Sequence, residues 1–245
     1  MWSRISRFLL PLLSLLPVAL PIGNAVAQRV DSTAVAARVR GVQYTPDALR
    51  GKTAEELPLL AGFSVSANLA GALLASVSSY GEYEAAVRAN LRGTYFPVVE
   101  VGIGSSDHTD SGTDLHYKTN SPFFRIGLDY NALKDKSSGN RLFGGARIGY
   151  SSFKYDISGP DLIDPYWHTA SPYNFKSLSG NQLWLELVFG IETKIWNFFH
   201  IGWSARYKNR ISKKADSIGS PWYVPGFGKS GTTVIGGTFN IVFDI

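Results

Sequence analysis

The sequence predicts an all-β protein, an eight-stranded antiparallel transmembrane β-barrel with short periplasmic turns and longer extracellular loops. Three observations predict it. After residue 60 the chain repeats, eight times, a run of about ten residues in which every second side chain is apolar. An export signal precedes those runs, and the connections between them alternate between short and long. Alternate side chains of a strand point to opposite faces, so each run carries one apolar and one polar face. Eight such runs close into a cylinder with lipid outside and a polar lumen inside.

The chain divides into residues 1–27, 28–60 and 61–245. Residues 1–27 read as a cleaved signal peptide. Arg4 and Arg7 supply the positive start, Phe8 to Leu20 the apolar stretch, and Ala25-Val26-Ala27 the small-x-small cleavage site. The stretch is too short, and too rich in Pro11, Pro17 and Pro21, for a spanning helix. Cleavage removes two arginines and lowers the formal charge from +5 to +3. Residues 28–60 are polar and do not alternate. Thr45-Pro46-Asp47 can start a short helix that runs through Glu56 and stops at Pro58; a disordered periplasmic lead-in and a periplasmic docking segment are the other readings.

The absence of cysteine excludes a disulfide scaffold, a thiolate metal site, a cysteine nucleophile and a lipidated N-terminal cysteine. The near-neutral mean hydropathy and 25 glycines suit a barrel whose polar lumen offsets its apolar exterior. A modest lysine and arginine excess without a dense basic tract is no footprint of nucleic acid in an exported chain. No cofactor is expected.

The runs follow in order. Phe63, Val65, Ala67 and Leu69 alternate with Ser64, Ser66 and Asn68. Tyr83, Ala85, Val87, Ala89 and Leu91 oppose Glu82, Glu84, Arg88, Asn90 and Arg92. Val99, Val101 and Ile103 oppose Glu100, Gly102 and Gly104. Phe124, Ile126, Leu128 and Tyr130 oppose Arg125, Gly127 and Asp129. Leu142, Ala146, Ile148 and Tyr150 oppose Arg141, Arg147 and Ser151. Leu183, Leu185, Leu187, Phe189 and Ile191 oppose Trp184, Glu186, Gly190, Glu192 and Lys194. Phe199, Ile201, Trp203, Ala205 and Tyr207 oppose His200, Ser204, Arg206 and Lys208. Ile235, Phe239, Ile241, Phe243 and Ile245 oppose Gly236, Thr238, Asn240 and Asp244. A soluble β-sandwich alternates too. Ionised residues on the non-apolar face of nearly every run decide for a barrel.

Connections after the second, fourth and sixth runs are short, over Gly93 to Phe96, Asn131 to Asn140 and Ile195 to Phe198. Those after the third, fifth and seventh are long, over Ser105 to Ser121, Phe153 to Gln182 and Ile211 to Gly231. The first outer connection, Ala72 to Gly81, is the shortest of its set. This orientation places Tyr83, Phe124, Tyr150 and Tyr207 at the outer strand ends and Tyr95, Tyr130, Phe199 and Phe243 at the inner ends, as two aromatic girdles.

The inward set includes Arg88, Arg92, Arg125, Arg141, Arg147, Arg206 and Lys208 with Glu84, Glu100, Asp129, Glu186 and Glu192. Opposite charges in a narrow tube pair, so the expectation is a plugged lumen and no useful pore. Of the four histidines, His200 belongs near an inner strand end of this network. His108 and His116 sit beside Asp107, Asp110 and Asp114, a weak divalent-ion pattern with irregular spacing. His168, Ser171 and a neighbouring acid, Asp161 or Asp164, would be the parts of a hydrolytic site, but their spacing matches no barrel hydrolase pattern.

Two aromatic-proline segments stand out: Asp164-Pro165-Tyr166-Trp167, and Pro221-Trp222-Tyr223-Val224-Pro225-Gly226-Phe227-Gly228. Tyr166, Trp167, Trp222, Tyr223 and Phe227 either anchor a protein partner or fold a loop over the barrel mouth.

The segments Tyr95-Phe96-Pro97-Val98-Val99-Glu100, Phe124-Arg125-Ile126-Gly127-Leu128-Asp129-Tyr130 and Gly149-Tyr150-Ser151-Ser152-Phe153-Lys154-Tyr155-Asp156 resemble an uncharacterised family of small outer-membrane barrels of Bacteroidota. So do Gly202-Trp203-Ser204-Ala205-Arg206-Tyr207 and both aromatic-proline segments. The resemblance covers residues 60 to 228 or so. It implies an outer-membrane location and supports eight strands, and it brings no activity. The chain departs from the wider class in ending Phe243-Asp244-Ile245 rather than on an aromatic residue.

These readings favour a non-enzymatic barrel in the Gram-negative outer membrane, a structural or accessory subunit that binds other outer-membrane or periplasmic proteins through its loops, outer wall or lead-in. Lipid and lipopolysaccharide would surround it. An outer-membrane lipid-modifying hydrolase is the alternative, and a small transport or ligand-binding barrel the third reading.

Overall fold

The computed structural model describes residues 52–216 and 219–245. The expected export signal of residues 1–27 and the lead-in as far as residue 51 lie outside them. Eight strands form a closed antiparallel ring: β1 Gly62–Asn68, β2 Tyr80–Asn90, β3 Tyr95–Thr109, β4 His116–Asn131, β5 Arg141–Ser158, β6 Asn174–Lys194, β7 Phe199–Ala215 and β8 Thr233–Asp244. Consecutive strands pair, and β1 closes on β8 with Ser64 opposite Asp244 and Ala67 opposite Ile241. Phe63 and Ile245 exchange backbone hydrogen bonds of 3.3 and 2.8 Å across the closure.

The facing of side chains is the inverse of a soluble protein. Val87, Val101, Ile126, Leu128, Ile148, Leu187 and Trp203 are exposed on the outer wall, whereas Arg88, Glu100, Arg125, Arg147, Glu186 and Arg206 are buried in the lumen. All the girdle residues face outward, with Phe199 half-buried and the others exposed. At the turn end the rings touch, with Tyr95–Tyr130 centroids 5.6 Å apart and Phe199–Phe243 centroids 5.5 Å apart.

The strands reach further toward the loop end than the apolar alternation predicts. β3 and β4 take in most of the connection expected over Ser105 to Ser121, and β5 and β6 shorten the one expected over Phe153 to Gln182. In β5 the facing never changes, but the chemistry inverts. Ile148 and Tyr150 point out with Arg147 in; beyond Ser151, Lys154 points out with Phe153, Tyr155 and Ile157 in. An outward side chain need be apolar only where lipid surrounds it. The conventional apolar core accordingly sits in the loop-end mouth, where Tyr117, Phe123, Phe153, Tyr155, Leu178 and Trp184 pack with Tyr223, Val224 and Phe227.

One element departs from the strand reading altogether. β1 stops at Asn68, and helix α1, Leu69–Val77, fills the expected Ala72 to Gly81 connection. The Asn68 side chain accepts a hydrogen bond from the Gly71 N–H at 3.2 Å and so caps the helix. Leu69-Ala70-Gly71-Ala72-Leu73-Leu74-Ala75 has lost the two-residue period and is rich in good helix formers. Leu69 therefore belongs to α1 and does not extend the first strand.

At the turn end, the described part of the lead-in lies along the barrel. Ala54–Glu56 form a 3-10 turn in which the Thr53 N–H donates to Glu56 Oε2 at 3.0 Å. The backbone of Lys52 accepts from Lys136 N–H at 3.0 Å, and Leu59 carbonyl accepts from Arg92 N–H at 3.2 Å, tying the segment to two turns.

Candidate functional site

The candidate sites are the charged lumen, the mouth above it and the outermost hairpin. Cross-strand register builds the lumen network. Arg125 on β4 lies opposite Glu100 on β3, and Arg141 on β5 lies opposite Glu192 on β6. Arg125 meets Glu84 at 2.7 Å, Glu100 at 3.0 Å and Glu186 at 3.3 Å. Arg206 meets the same three carboxylates at 2.9, 3.0 and 3.1 Å. Arg147 bridges Glu100 at 3.2 Å and Asp129 at 3.0 Å. Nearer the turn end, Glu192 receives Arg88 at 2.9 Å and Arg141 at 3.0 Å, and His200 Nε2 lies 3.0 Å from Asp244.

Two of these contacts cross the whole lumen. β7 and β3 stand diametrically opposite in the ring, as do β2 and β6, so Arg206–Glu100 and Arg88–Glu192 are struts across the cylinder. The cavity left between the layers is about 20 Å³, room for about one water. An ion-paired lumen of this kind specifies geometry, because removing one member leaves an uncompensated buried charge.

Arg92 is not part of the network. It sits in the β2–β3 turn with a positive φ of 53° and is exposed, because the strand has already ended and the alternation no longer sets its direction.

The segment after β7 seals the mouth. Tyr223–Val224 pairs with Gly228–Lys229 as a two-residue ribbon, and Tyr223 and Phe227 are only 2% and 0% exposed. The Gly226 carbonyl accepts from Arg125 Nη2 at 2.6 Å and from Lys208 Nζ at 2.7 Å, so the ribbon is bonded to the charged layer beneath it. Tyr117 Oη donates to the Tyr223 carbonyl at 2.6 Å, and Phe227 stands edge-on to Trp184 at 5.8 Å. Gly226 has φ of 78°, and a Cβ there would lie 2.4 Å from Phe123 Cγ. Only glycine fits. Tyr223 and Phe227 are thus removed from the set of partner-binding candidates, since the mouth core has used their surface. Trp222 is half-buried, with His108 stacked on it at 4.0 Å.

Tyr166 and Trp167 have the opposite fate. They cap a small hairpin whose strands Leu162–Ile163 and Ala170–Ser171 pair, among the described residues, only with each other. They are 81% and 75% exposed. The tip is ordered by Asp164, whose Oδ1 accepts from Tyr166 N–H at 2.7 Å and Trp167 N–H at 2.8 Å. Those amides, Trp167 first, hold the Asp164 carboxyl below the usual aspartate range.

This geometry also places the residues considered for hydrolysis. His168 occupies the hairpin turn with φ of 52°, and Ser171 lies in the ribbon, opposite Leu162. Asp164 is committed to the turn amides. At the loop-end extensions of β3 and β4, Asp107 is held by Lys118 at 2.9 Å, with His116 at 3.5 Å.

The fold and this interior define a small closed β-barrel with an apolar wall, a salt-bridged lumen and a sealed mouth. The chain belongs to the DUF6048 family, described as a domain of unknown function, whose model matches residues 12–245. No curated protein sequence matches it. The crystal structure of Acinetobacter baumannii CarO2 is similar at 11% identity and a TM-score of 0.41, over 75% of this chain and 97% of that one. That likeness is too loose to carry a function across.

Proposed function

We propose that this protein is a non-enzymatic outer-membrane barrel, exported by a cleaved signal peptide, that serves as a structural or accessory subunit of an envelope assembly. The membrane part of the reading rests on the apolar wall around a charged lumen and on the two aromatic girdles. The resemblance to small barrels of Bacteroidota agrees with it. The subunit part rests on one observation, the outward hairpin that presents Tyr166 and Trp167 on a pre-ordered turn. Rigid exposed aromatics are the anchors that protein interfaces favour, because they bury a large area at little conformational cost. A barrel whose lumen is bridged by ion pairs has its wall, hairpin and lead-in left as working surfaces.

The test is a pull-down of the tagged protein from native outer membranes in mild detergent, with partners identified by mass spectrometry. A defined envelope assembly at stoichiometric yield, lost on Tyr166→Ala with Trp167→Ala, supports the reading. Recovery of the barrel alone sinks the subunit role and makes lipid turnover the next assay.

A further inference from the structure

β1 ends early while its neighbours continue toward the loop end. β2 runs from Tyr80 but meets β1 only at Ala85, and β8 runs from Thr233 but meets β1 only at Asn240. The edges at Tyr80–Glu84 and Thr233–Phe239 therefore flank a seam with no strand between them. Helix α1 lies in it. Among the described residues no backbone hydrogen bond joins α1 to β8. A sheet edge left open toward hydrocarbon strands N–H and C=O groups without water, which barrels normally avoid by closing.

Behind α1 is a pocket of about 350 Å³, within the range of small-ligand sites. Gly71 and Leu74 of α1 line one side, Gly236 and Gly237 of β8 another, and Lys208 the inner end. Lys208 is 5% exposed, and its one hydrogen-bond acceptor is the neutral Gly226 carbonyl. Among the described residues it is the one buried cation with no carboxylate within 4.0 Å, whereas Arg88, Arg125, Arg141, Arg147 and Arg206 each have at least one. Glu82 lines the same pocket but is drawn 3.7 Å from Arg125. Lys229 stands at the rim, its Nζ 5.3 Å from the ring centroids of both Tyr80 and Trp222. A buried ammonium with no carboxylate in direct contact, only the longer-range attraction of Glu82 and of Glu186 across the strand pair, is incompletely neutralised, so an anion arriving at this pocket meets a cation already desolvated. The outward side of the seam is apolar, with Leu73, Val77 and Ile235 exposed.

We propose that the β2–β8 seam is a lateral binding site for a phosphate-bearing lipid of the surrounding leaflet, its headgroup on Lys208 with Lys229 at the rim and its acyl chain against α1. The site rests on the membrane reading but not on the subunit reading, since it needs no protein partner.

The purified barrel, heat-modifiable on gels, is reconstituted in phosphatidylcholine nanodiscs doped with phosphatidylglycerol, released into detergent, and weighed by native mass spectrometry. One phosphatidylglycerol per barrel and no phosphatidylcholine is expected. Lys208→Met should lower that retention about tenfold, the size of one charge-assisted hydrogen bond. Gly236→Trp should do the same by filling the pocket, since residue 236 lies on the inward face of β8 and lines it. A Cβ at Gly236 meets nothing within 4 Å, so the new side chain starts into open space. Equal retention of both lipids overturns the proposal, as does unchanged retention in either heat-modifiable variant. Binding of inorganic phosphate as tight as that of the lipid also overturns it, leaving an aqueous anion site. Loss of heat-modifiability in the wild type would instead strike the membrane reading itself.

Discussion

Two loops of this barrel are built from the same materials and do opposite things. Asp164-Pro165-Tyr166-Trp167 and Pro221 to Gly228 each combine proline with large aromatics. The first stands away from the barrel with its rings exposed; the second folds inward and stops the mouth. Composition does not separate them. What separates them is the partner each backbone finds. The Gly226 carbonyl has Arg125 and Lys208 beneath it, and an inward turn there is allowed by a glycine at positive φ. The hairpin at Asp164 closes its hydrogen bonds on itself, through the Asp164 carboxylate and a self-contained ribbon. A loop that satisfies its own backbone is free to project, and one that borrows acceptors and donors from the barrel is held down.

The contrast can be broken at the layer the plug rests on. Arg206→Ala removes one of the two arginines that Glu84, Glu100 and Glu186 share, and should destabilise the barrel by about 3–5 kcal/mol. Denaturant unfolding in lipid vesicles reads this out. Lys208→Met, which leaves no carboxylate unpaired, should cost far less in the same assay.

Gly226→Val attacks the plug alone. Positive φ and the approach of Phe123 together should cost about 2–4 kcal/mol. Protease cleavage within residues 221–228 should appear in this variant and be absent from the wild type. If the plug stays protected, the close approach is not what holds it.

The hairpin should behave in reverse. Tyr166→Ala with Trp167→Ala is expected to change stability by no more than about 0.5 kcal/mol, because neither ring is buried. A large loss in the unfolding assay would mean that the hairpin packs on the barrel after all.

The smallest effect concerns pH. The Asp164 carboxyl is held below its ordinary value, so the turn's contribution is fully present above pH 3.9 or so and is lost as pH falls through the lowered value. Amide resonances of Tyr166 and Trp167 should shift only in that acidic window, with those of Tyr223 unmoved. Movement near neutral pH would exclude Asp164 as the cause.

How much of this was legible in the chain varies by region. Within the apolar-walled band, every inward charge of the network could be read from alternation, except at Arg92, where the strand had ended. Beyond Ser151 the alternation continues with its chemistry inverted, Phe153, Tyr155 and Ile157 inward and Lys154 outward, so a search for outward apolar residues stops too early. The same search carried Leu69 into the first strand, although the helix-forming composition after Asn68 was a readable signal of the break. Nothing in the composition of the two aromatic segments distinguished plug from projection. Lys208 looked like any other inward cation.

By itself the sequence determined the barrel, its strand count, the two faces of each strand and the charged lumen, because a two-residue period acts through local backbone geometry. Tertiary structure alone decided which arginine meets which carboxylate, which loop enters the mouth, and that Lys208 alone of the buried cations has no carboxylate within 4.0 Å among the described residues. Those outcomes depend on the distance between strands far apart in sequence, as in the pairing of β3 with β7 across the lumen, and only closing the ring sets that distance.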